Sequence, residues 1–499
     1  MRHQSSTHSL PAARRLSSAL LLAGFSILAP AASGAAEAVK VARIVSANSA
    51  ANSAANSAAN GTANGAADVA SAALPAPAAA ALPQNWRLSF GGAKPPQGYT
   101  AVQPDMEYDD KRGFGFEPGA VVQNIHASTS YATADKPFFF SVDLAEGNYN
   151  VSITFGGGDA ASHTTVKSEL RRLMLENVST APGATVKRTF TVNVRTPRIP
   201  EGDNIAAGVV SLKAPRETVQ EAWSWDKRLT LEFNGAKPAI TAIEIVPVKT
   251  PTLFLLGDST VCDQPGEPYS SWGQMLPRFL KPGIAVANHA ESGETYRDSL
   301  ARRRLDKVLS AMRPGDTVLM QFGHNDQKQV RENKGGPFTT YKDEIRAHVD
   351  AIRLHGGIPV VISPMERRNF DEAGKVVPSL QTYGDAAHES ARELEVAFID
   401  LNAMSKRFYE ALGPELSKKA FAEPQPGQID NTHQNSYGAY ELAQAVLTGL
   451  RESEVPAASF IADGYGNFNP SRPNPVKSFA VPASPNFTNQ RPLGDEANP

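Results

Sequence analysis

Hydrophobic and polar positions change their period once along this chain, and the change divides it. Over residues 138–144, 149–155, 185–194, 228–233 and 240–245 apolar and polar residues alternate, and Gly91-Gly92, Gly113, Gly115 and Gly156-Gly157-Gly158 fall between such runs. Period two punctuated by turn residues predicts antiparallel strands, each sheet wet on one face and stacked on its partner as a β-sandwich. From Thr252 onward the strand-like runs become short, mostly apolar and without alternation, at 253–256, 284–287, 317–322, 358–362 and 397–401. Runs without polar alternation predict strands covered on both faces. Helical patterns lie between them: Tyr341, Ile345, Val349 and Ile352 recur at three- and four-residue steps, Thr340-x-x-Asp343 resembles a capping box, and Gly356-Gly357 ends the segment. A last helix is expected over 437–450. Strand and helix in alternation imply α/β architecture, with five parallel strands between helices on both faces.

Composition adds the ends of the chain. Arg14-Arg15, an apolar stretch over 16–29 and the small residues Ala31-Ala32-Ser33-Gly34-Ala35-Ala36 have the order of a secretory signal peptide. Residues 46–82 repeat Ala, Asn, Ser and Pro without large apolar side chains, the composition of a disordered linker. The expected partition is therefore 1–36 signal peptide, 37–83 linker, 84–249 β-sandwich, 250–454 α/β domain and 455–499 a Pro- and Asn-rich tail, either an irregular arm or disordered. No run after residue 36 reaches a membrane-spanning length, so a secreted or periplasmic protein is expected, with no membrane partner once the signal is removed.

With 49 basic and 51 acidic residues, the formal charge of -2 gives no reason to expect nucleic acid. Cys262 is the only cysteine, which rules out an internal disulfide; it reads as a small apolar residue at a helix start. Trp223 and Trp225 have the chemistry to stack on sugar rings, but Trp225 lies just before the run at Arg228, where core packing is the simpler role.

Four polar stations follow the ends of these elements. They are Gly257-Asp258-Ser259, Asn288-His289-Ala290-Glu291-Ser292-Gly293, Gly323-His324-Asn325-Asp326 and Asp430-Asn431-Thr432-His433. Each alone is an ordinary turn. In an open parallel sheet, however, the carboxyl ends of the strands share one crevice, so all four converge. A serine hydroxyl needs an imidazole to take its proton, and His433 can do this for Ser259. Asp430, three residues earlier, can hold the far ring nitrogen. The oxyanion of an acyl-transfer intermediate needs fixed donors, supplied by the backbone N–H groups of Ser259 and Gly293 and the Asn325 amide. His289 and His324 read as local hydrogen-bonding residues, and no His/Asp/Glu grouping argues for a metal. There is no Gly-x-Ser-x-Gly elbow, which argues against a standard α/β-hydrolase.

These stations resemble the four blocks of the SGNH (GDSL-type) hydrolases, with Ser259, Gly293, Asn325 and His433 on the four name-giving residues and Asp430 on the triad acid. Gly257-Asp258-Ser259-Thr260-Val261, Gly323-His324-Asn325-Asp326, Asp430-Asn431-Thr432-His433-Gln434-Asn435-Ser436-Tyr437-Gly438-Ala439 and 363–370 are similar to rhamnogalacturonan acetylesterases over about 252–450. The resemblance implies a flavodoxin-like three-layer α/β/α fold and removal of O-acetyl groups from the pectic rhamnogalacturonan backbone, with no metal or cofactor. The preceding β-sandwich is similar to galactose-binding-like domains. The expected partner is an acetylated polysaccharide. Arg367 and Arg368 have the forked guanidinium suited to a uronate carboxylate, or form a solvated basic turn. The competing readings are an acetylesterase for another glycan such as xylan, a small-ester or lipid esterase of the same fold, and a polysaccharide-binding protein without catalysis.

Overall fold

The five apolar runs form one sheet in which every strand is parallel to its neighbours: Thr252–Gly257, Ala285–Asn288, Thr317–Gln321, Ile358–Ile362 and Ala397–Ile399. Numbered along the chain, their spatial order is 2-1-3-4-5, the flavodoxin-like doubly wound order. Successive side chains leave opposite faces of a strand, and here both faces are covered. Leu253, Leu255, Leu319, Val360 and Ile362 pack with Phe408, Leu442 and Val446, whereas Phe254, Leu256, Val318, Met320 and Val361 pack with Val308, Ile345, Val349 and Ala387. This is why the runs carry no polar alternation. A computed structural model describes residues 85–494 apart from 92–93, 127–129, 332 and 334. The signal-peptide and linker segments, 1–36 and 37–83, lie outside the described residues.

Residues 86–247 form the two sheets of the sandwich. One carries Thr185–Val194, Gly147–Gly156, Ala239–Pro247, Trp86–Phe90 and Thr100–Val102 in that order; the other carries Phe114–Phe116, Phe138–Asp143, Arg228–Asn234, Ser162–Ser168 and Arg172–Thr180. Leu88, Phe140, Val151, Ile153, Leu231 and Ile243 fill the space between them, and the Phe138 and Phe233 rings stack at 5.1 Å. Pairing is antiparallel except between Trp86–Phe90 and Thr100–Val102, which run parallel. The hairpin Ser162–Ser168/Arg172–Thr180 escaped the period-two pattern because its charged residues are buried against other elements. Lys167 faces Glu232 and the C-terminal segment, Arg171 donates to Gln264 O and Tyr269 O, and Arg172 Nε lies 3.2 Å from Asp263 Oδ2.

Three local expectations are corrected. Thr340 and Asp343 form no capping box: a π-helical turn, Pro337–Tyr341, runs directly into the helix Lys342–Leu354, and Thr340 Oγ1 instead accepts from Gly336 N–H. The run 397–401 stops as a strand at Ile399, because Asp400 turns to cap the helix Leu401–Leu416, accepting from Ala403 N–H. Cys262 is buried, but in the turn after Ser259; the next helix opens only at Trp272. The helix ending at Gly356-Gly357 and the final helix, Ser436–Glu452, are as expected.

Trp225 is packed with Phe254 and Leu256, its Nε1–H donating to Glu217 and the Arg195 guanidinium 4.7 Å above its ring. The segment 455–494 is an arm. Asn474 docks on Glu441 of the last helix, and Lys167 Nζ donates to Pro482 O and Ser484 Oγ at 2.7 Å. Among the described residues no helix is long and apolar enough to cross a membrane.

Leu255 lies in the middle of the first parallel strand and is fully buried. Leu255→Ala should lower unfolding free energy by about 2–5 kcal/mol, read from urea denaturation.

Candidate active site

The first parallel strand ends at Gly257, and its side-chain-free Cα is a steric requirement: a Cβ there would lie 2.6 Å from Gln321 O and 2.5 Å from Val261 Cγ2. The chain then turns sharply around Asp258. Its Oδ1 accepts from Thr260 N–H at 2.9 Å and Thr260 Oγ1–H at 2.7 Å, while Val261 and Cys262 N–H both reach its carbonyl at 3.0 Å. Asp258 Oδ2 lies 3.2 Å from His324 Nδ1, so the first and third stations are joined. Burial works to raise the Asp258 pKa, but His324 and the turn's donors outweigh it and hold the carboxyl below its ordinary value. Neither Asp258 nor this use of His324 was expected to shape the site.

Ser259 sits on that turn, buried, with Oγ 2.9 Å from His433 Nε2; His433 Nδ1 lies 3.0 Å from Asp430 Oδ2. The hydrogen-bond partners assign the tautomer: with the proton on Nδ1, facing a carboxylate, Nε2 is left to accept from the hydroxyl. Asp430 is fixed locally, accepting from Thr432 N–H at 2.7 Å and His433 N–H at 3.0 Å through Oδ1. Ala422 clamps the loop from outside, donating to His433 O at 3.0 Å and accepting from Asp430 N–H at 2.9 Å. Although burial alone would raise the Asp430 pKa, His433 and Arg491 beside it hold the carboxyl well below the usual carboxylate range. Tyr269 presents its ring edge-on to the imidazole at 5.8 Å, and burial followed by Asp430 pushes its phenol up to about 12.

The second station approaches the first through Glu291 N–H, which donates to Gly257 O at 3.0 Å. Gly293 has φ +74°, a left-handed conformation open to glycine without strain. No hydrogen bond among the described residues uses the backbone N–H of Ser259 or Gly293. Asn325 donates one amide hydrogen to Glu294 O at 3.0 Å. A cavity of about 460 Å³ lies beside Gly293, between residues 212–214, Arg302 and residues 493–494.

Beneath the second station, charged side chains are buried together. The Glu217, Glu221 and Glu291 carboxylates lie within 4.8 Å of one another, a grouping with metal-ligand spacing that the separated sequence positions concealed. Guanidinium groups neutralise it: Arg216 Nε lies 2.6 Å from Glu221 and 2.9 Å from Glu291, and Arg304 Nη2 lies 2.6 Å from Glu217. Arg216 also donates to Ser292 Oγ at 2.8 Å, so this network holds the loop that carries Gly293.

The expected arginines part company. Arg367 is buried, donating to Thr432 Oγ1 at 3.1 Å and Gln327 Oε1 at 2.9 Å; Arg368 is half-buried, donates its backbone N–H to Asn431 O at 2.7 Å and lies over the Phe421 ring. A third arginine had no local signal. Arg491, on the C-terminal arm, meets Asp430 with Nε at 2.9 Å from Oδ2 and Nη2 at 3.2 Å from Oδ1. Nothing in Gln490-Arg491-Pro492 marks it, since its partner is 61 positions away.

A family model described as GDSL-like Lipase/Acylhydrolase family matches residues 255–438, and one described as Beta-agarase/YXIM esterase-like, galactose-binding domain-like matches residues 86–192. The chain belongs to the GDSL-like, SGNH-type carboxylic ester hydrolases, and its sandwich is galactose-binding-like. Among curated proteins it is 38% identical over 224 residues to rhamnogalacturonan acetylesterase RhgT of Bacillus subtilis (strain 168), covering 43% of this chain and 95% of that protein. It is 25% identical over 391 residues to the uncharacterized esterase YxiM of the same organism, covering 75% and 93% of the two. The crystal structure of the YxiM protein from Bacillus subtilis matches 75% of this chain and 99% of that chain at 23% identity, with a TM-score of 0.40.

The depressed Asp430 carboxyl fixes the sign of a pH effect. The stability it contributes is fully present above the unfolded carboxylate value near ~4 and is lost as pH falls through the lower folded value. Asp430→Asn should therefore cost on the order of 2–3 kcal/mol at neutral pH. In paired urea titrations the gap from wild type should narrow steadily below about pH 4.

Proposed function

We propose that this protein is an exported serine carbohydrate esterase that removes O-acetyl groups from rhamnogalacturonan through an acetyl-enzyme on Ser259. The observation that carries this reading is the unbroken relay from Ser259 Oγ through His433 to Asp430, at 2.9 and 3.0 Å, at the carboxyl edge of the parallel sheet. The name borne by the RhgT relative supports the substrate assignment, and the order of the first 36 residues supports export.

In the first half-reaction Ser259 Oγ attacks the acetyl carbonyl carbon while its proton passes to His433 Nε2. The carbonyl electron pair moves onto oxygen, and the Ser259 and Gly293 N–H groups with the second Asn325 amide hydrogen stabilise that oxyanion. The bond from the acyl carbon to the sugar oxygen then breaks, and His433 returns the proton to the departing hydroxyl. Water repeats the sequence on the acetyl-serine: it gives a proton to His433, forms acetate and restores the Ser259 hydroxyl. Asp430 stays ionised throughout and stabilises each imidazolium.

Ser259→Ala should abolish ester hydrolysis while leaving the circular dichroism spectrum and melting temperature near wild type; retained hydrolysis would require another nucleophile. The wild-type serine should be trapped stoichiometrically by an organophosphonate, located by peptide mass spectrometry. Asn325→Ala should reduce kcat by about 10²–10³, the cost of one oxyanion donor. For the substrate, acetate release should be fastest from acetylated rhamnogalacturonan, compared with acetylated xylan and long-chain esters. Faster release from xylan overturns the substrate assignment and leaves the mechanism standing.

A further inference from the structure

The arm formed by residues 482–494 is anchored before it reaches the site. Asn234 Nδ2 donates to Ala483 O at 2.9 Å, and Ser484 Oγ donates to Glu232 Oε2 at 2.7 Å. Glu267 N–H donates to Asn486 O, and Thr488 N–H to Glu267 O, both at 2.8 Å. These contacts tie the arm to a strand of the sandwich and to the loop that follows Ser259. Beyond them Arg491 meets both oxygens of Asp430, and Nη2 also reaches Asn431 Oδ1 at 3.2 Å. The far end rests on the second and third stations: Lys328 Nζ donates to Gly494 O, and a Cβ on Gly494 would collide with Asn325 Oδ1 and lie 2.8 Å from Gly293 Cα.

We infer that Arg491 is a positioning residue for hydrolysis, supplied by the C-terminal arm to hold the Asp430 carboxylate from the side that His433 leaves open. This rests on the role proposed above for Ser259, His433 and Asp430. Three features of the geometry support it. The guanidinium fork spans both carboxylate oxygens, which restricts rotation of the Asp430 side chain in a way that a single donor cannot. The Asp430 side chain is 2% exposed while that of Arg491 is 33% exposed, so the carboxylate is the buried partner and the cation closes it from the solvent side. The contact also leaves the Ser259–His433–Asp430 relay intact, at 2.9 and 3.0 Å.

A cation on the far side of the carboxylate draws on the same negative charge that faces the His433 ring, so Arg491 sets how much of that charge the imidazole meets. The groups facing Asp430 are His433 from its own loop, Tyr269 from the loop after Ser259, Arg368 from the loop after the fourth strand, and Arg491 from the arm. Arg491 is the cation in hydrogen-bond contact with both carboxylate oxygens, so its removal has a defined direction. The freed carboxylate stabilises the protonated imidazole, and the acid limb of kcat/KM moves to higher pH.

The full-length protein, Arg491→Gln and Arg491→Lys are compared with 4-nitrophenyl acetate across the pH range, with thermal melts and organophosphonate titration to count folded sites. In Arg491→Gln the acid limb is expected to rise by about one pH unit and plateau kcat to fall several-fold, with KM near wild type. Arg491→Lys keeps the charge and should restore the wild-type limb but not the plateau kcat, because a point charge cannot span both oxygens. An unchanged limb and plateau in Arg491→Gln overturns the inference. So does a gain of activity, which would make the arm a blocking strap, or an equal shift in the two variants, which would show that charge is not the cause. The two readings fail separately: if Ser259→Ala stays active the proposed nucleophile is wrong, whereas if Ser259→Ala is dead and Arg491→Gln keeps the wild-type profile only the arm's role falls.

Discussion

One buried carboxylate sets the geometry at the head of the sheet. Asp258 faces inward from the turn that ends the first strand, its two oxygens divided between that turn and His324 of a neighbouring strand's loop. An ionised group in this position is tolerated only because each oxygen has a strong donor, and those donors come from different parts of the chain. The turn and the loop are thereby held in register, so Ser259 and Asn325, each next in sequence to one of the bonded residues, are fixed relative to one another. The middle residue of Gly-Asp-Ser is thus the brace, and the serine is what it presents.

The fold was legible where a single physical cause wrote a local pattern. Strands such as 253–256 and 358–362 had to be apolar throughout because helices cover both faces. Ser259, His433 and Asp430 could be brought together on paper because parallel strands share one carboxyl edge, and they do meet at hydrogen-bond distance. The family recognised from Gly257-Asp258-Ser259 and its three companion blocks is the one to which the chain belongs.

What stayed hidden depended on contacts distant in sequence. The strands Ser162–Ser168 and Arg172–Thr180 carry buried Lys167 and Arg172, charges whose partners lie on other elements, so their polar pattern imitates a solvated loop. Glu217, Glu221 and Glu291 meet only after the sandwich and the parallel sheet have come together around Arg216 and Arg304. At Thr340 the sequence satisfied a capping motif, but the residue lies inside a π-helical turn, where its hydroxyl accepts from Gly336 N–H instead. The Pro- and Asn-rich tail had no periodicity to read; its position is set by Glu232, Glu267 and Asp430, which precede their partners in it by 252, 217 and 61 positions.

The placement of that arm imposes an order on the protein's life. Residues 482–494 leave the ribosome after every group they touch, so a nascent chain can complete both sheets while the carboxylate behind His433 still faces water. A chain clipped by a protease just after residue 481 would keep the side chains that fill its cores and lose the contacts of residues 482–494, the one to Asp430 among them. Docking of this segment is thus separable from the formation of the hydrophobic interiors, to which its side chains contribute nothing.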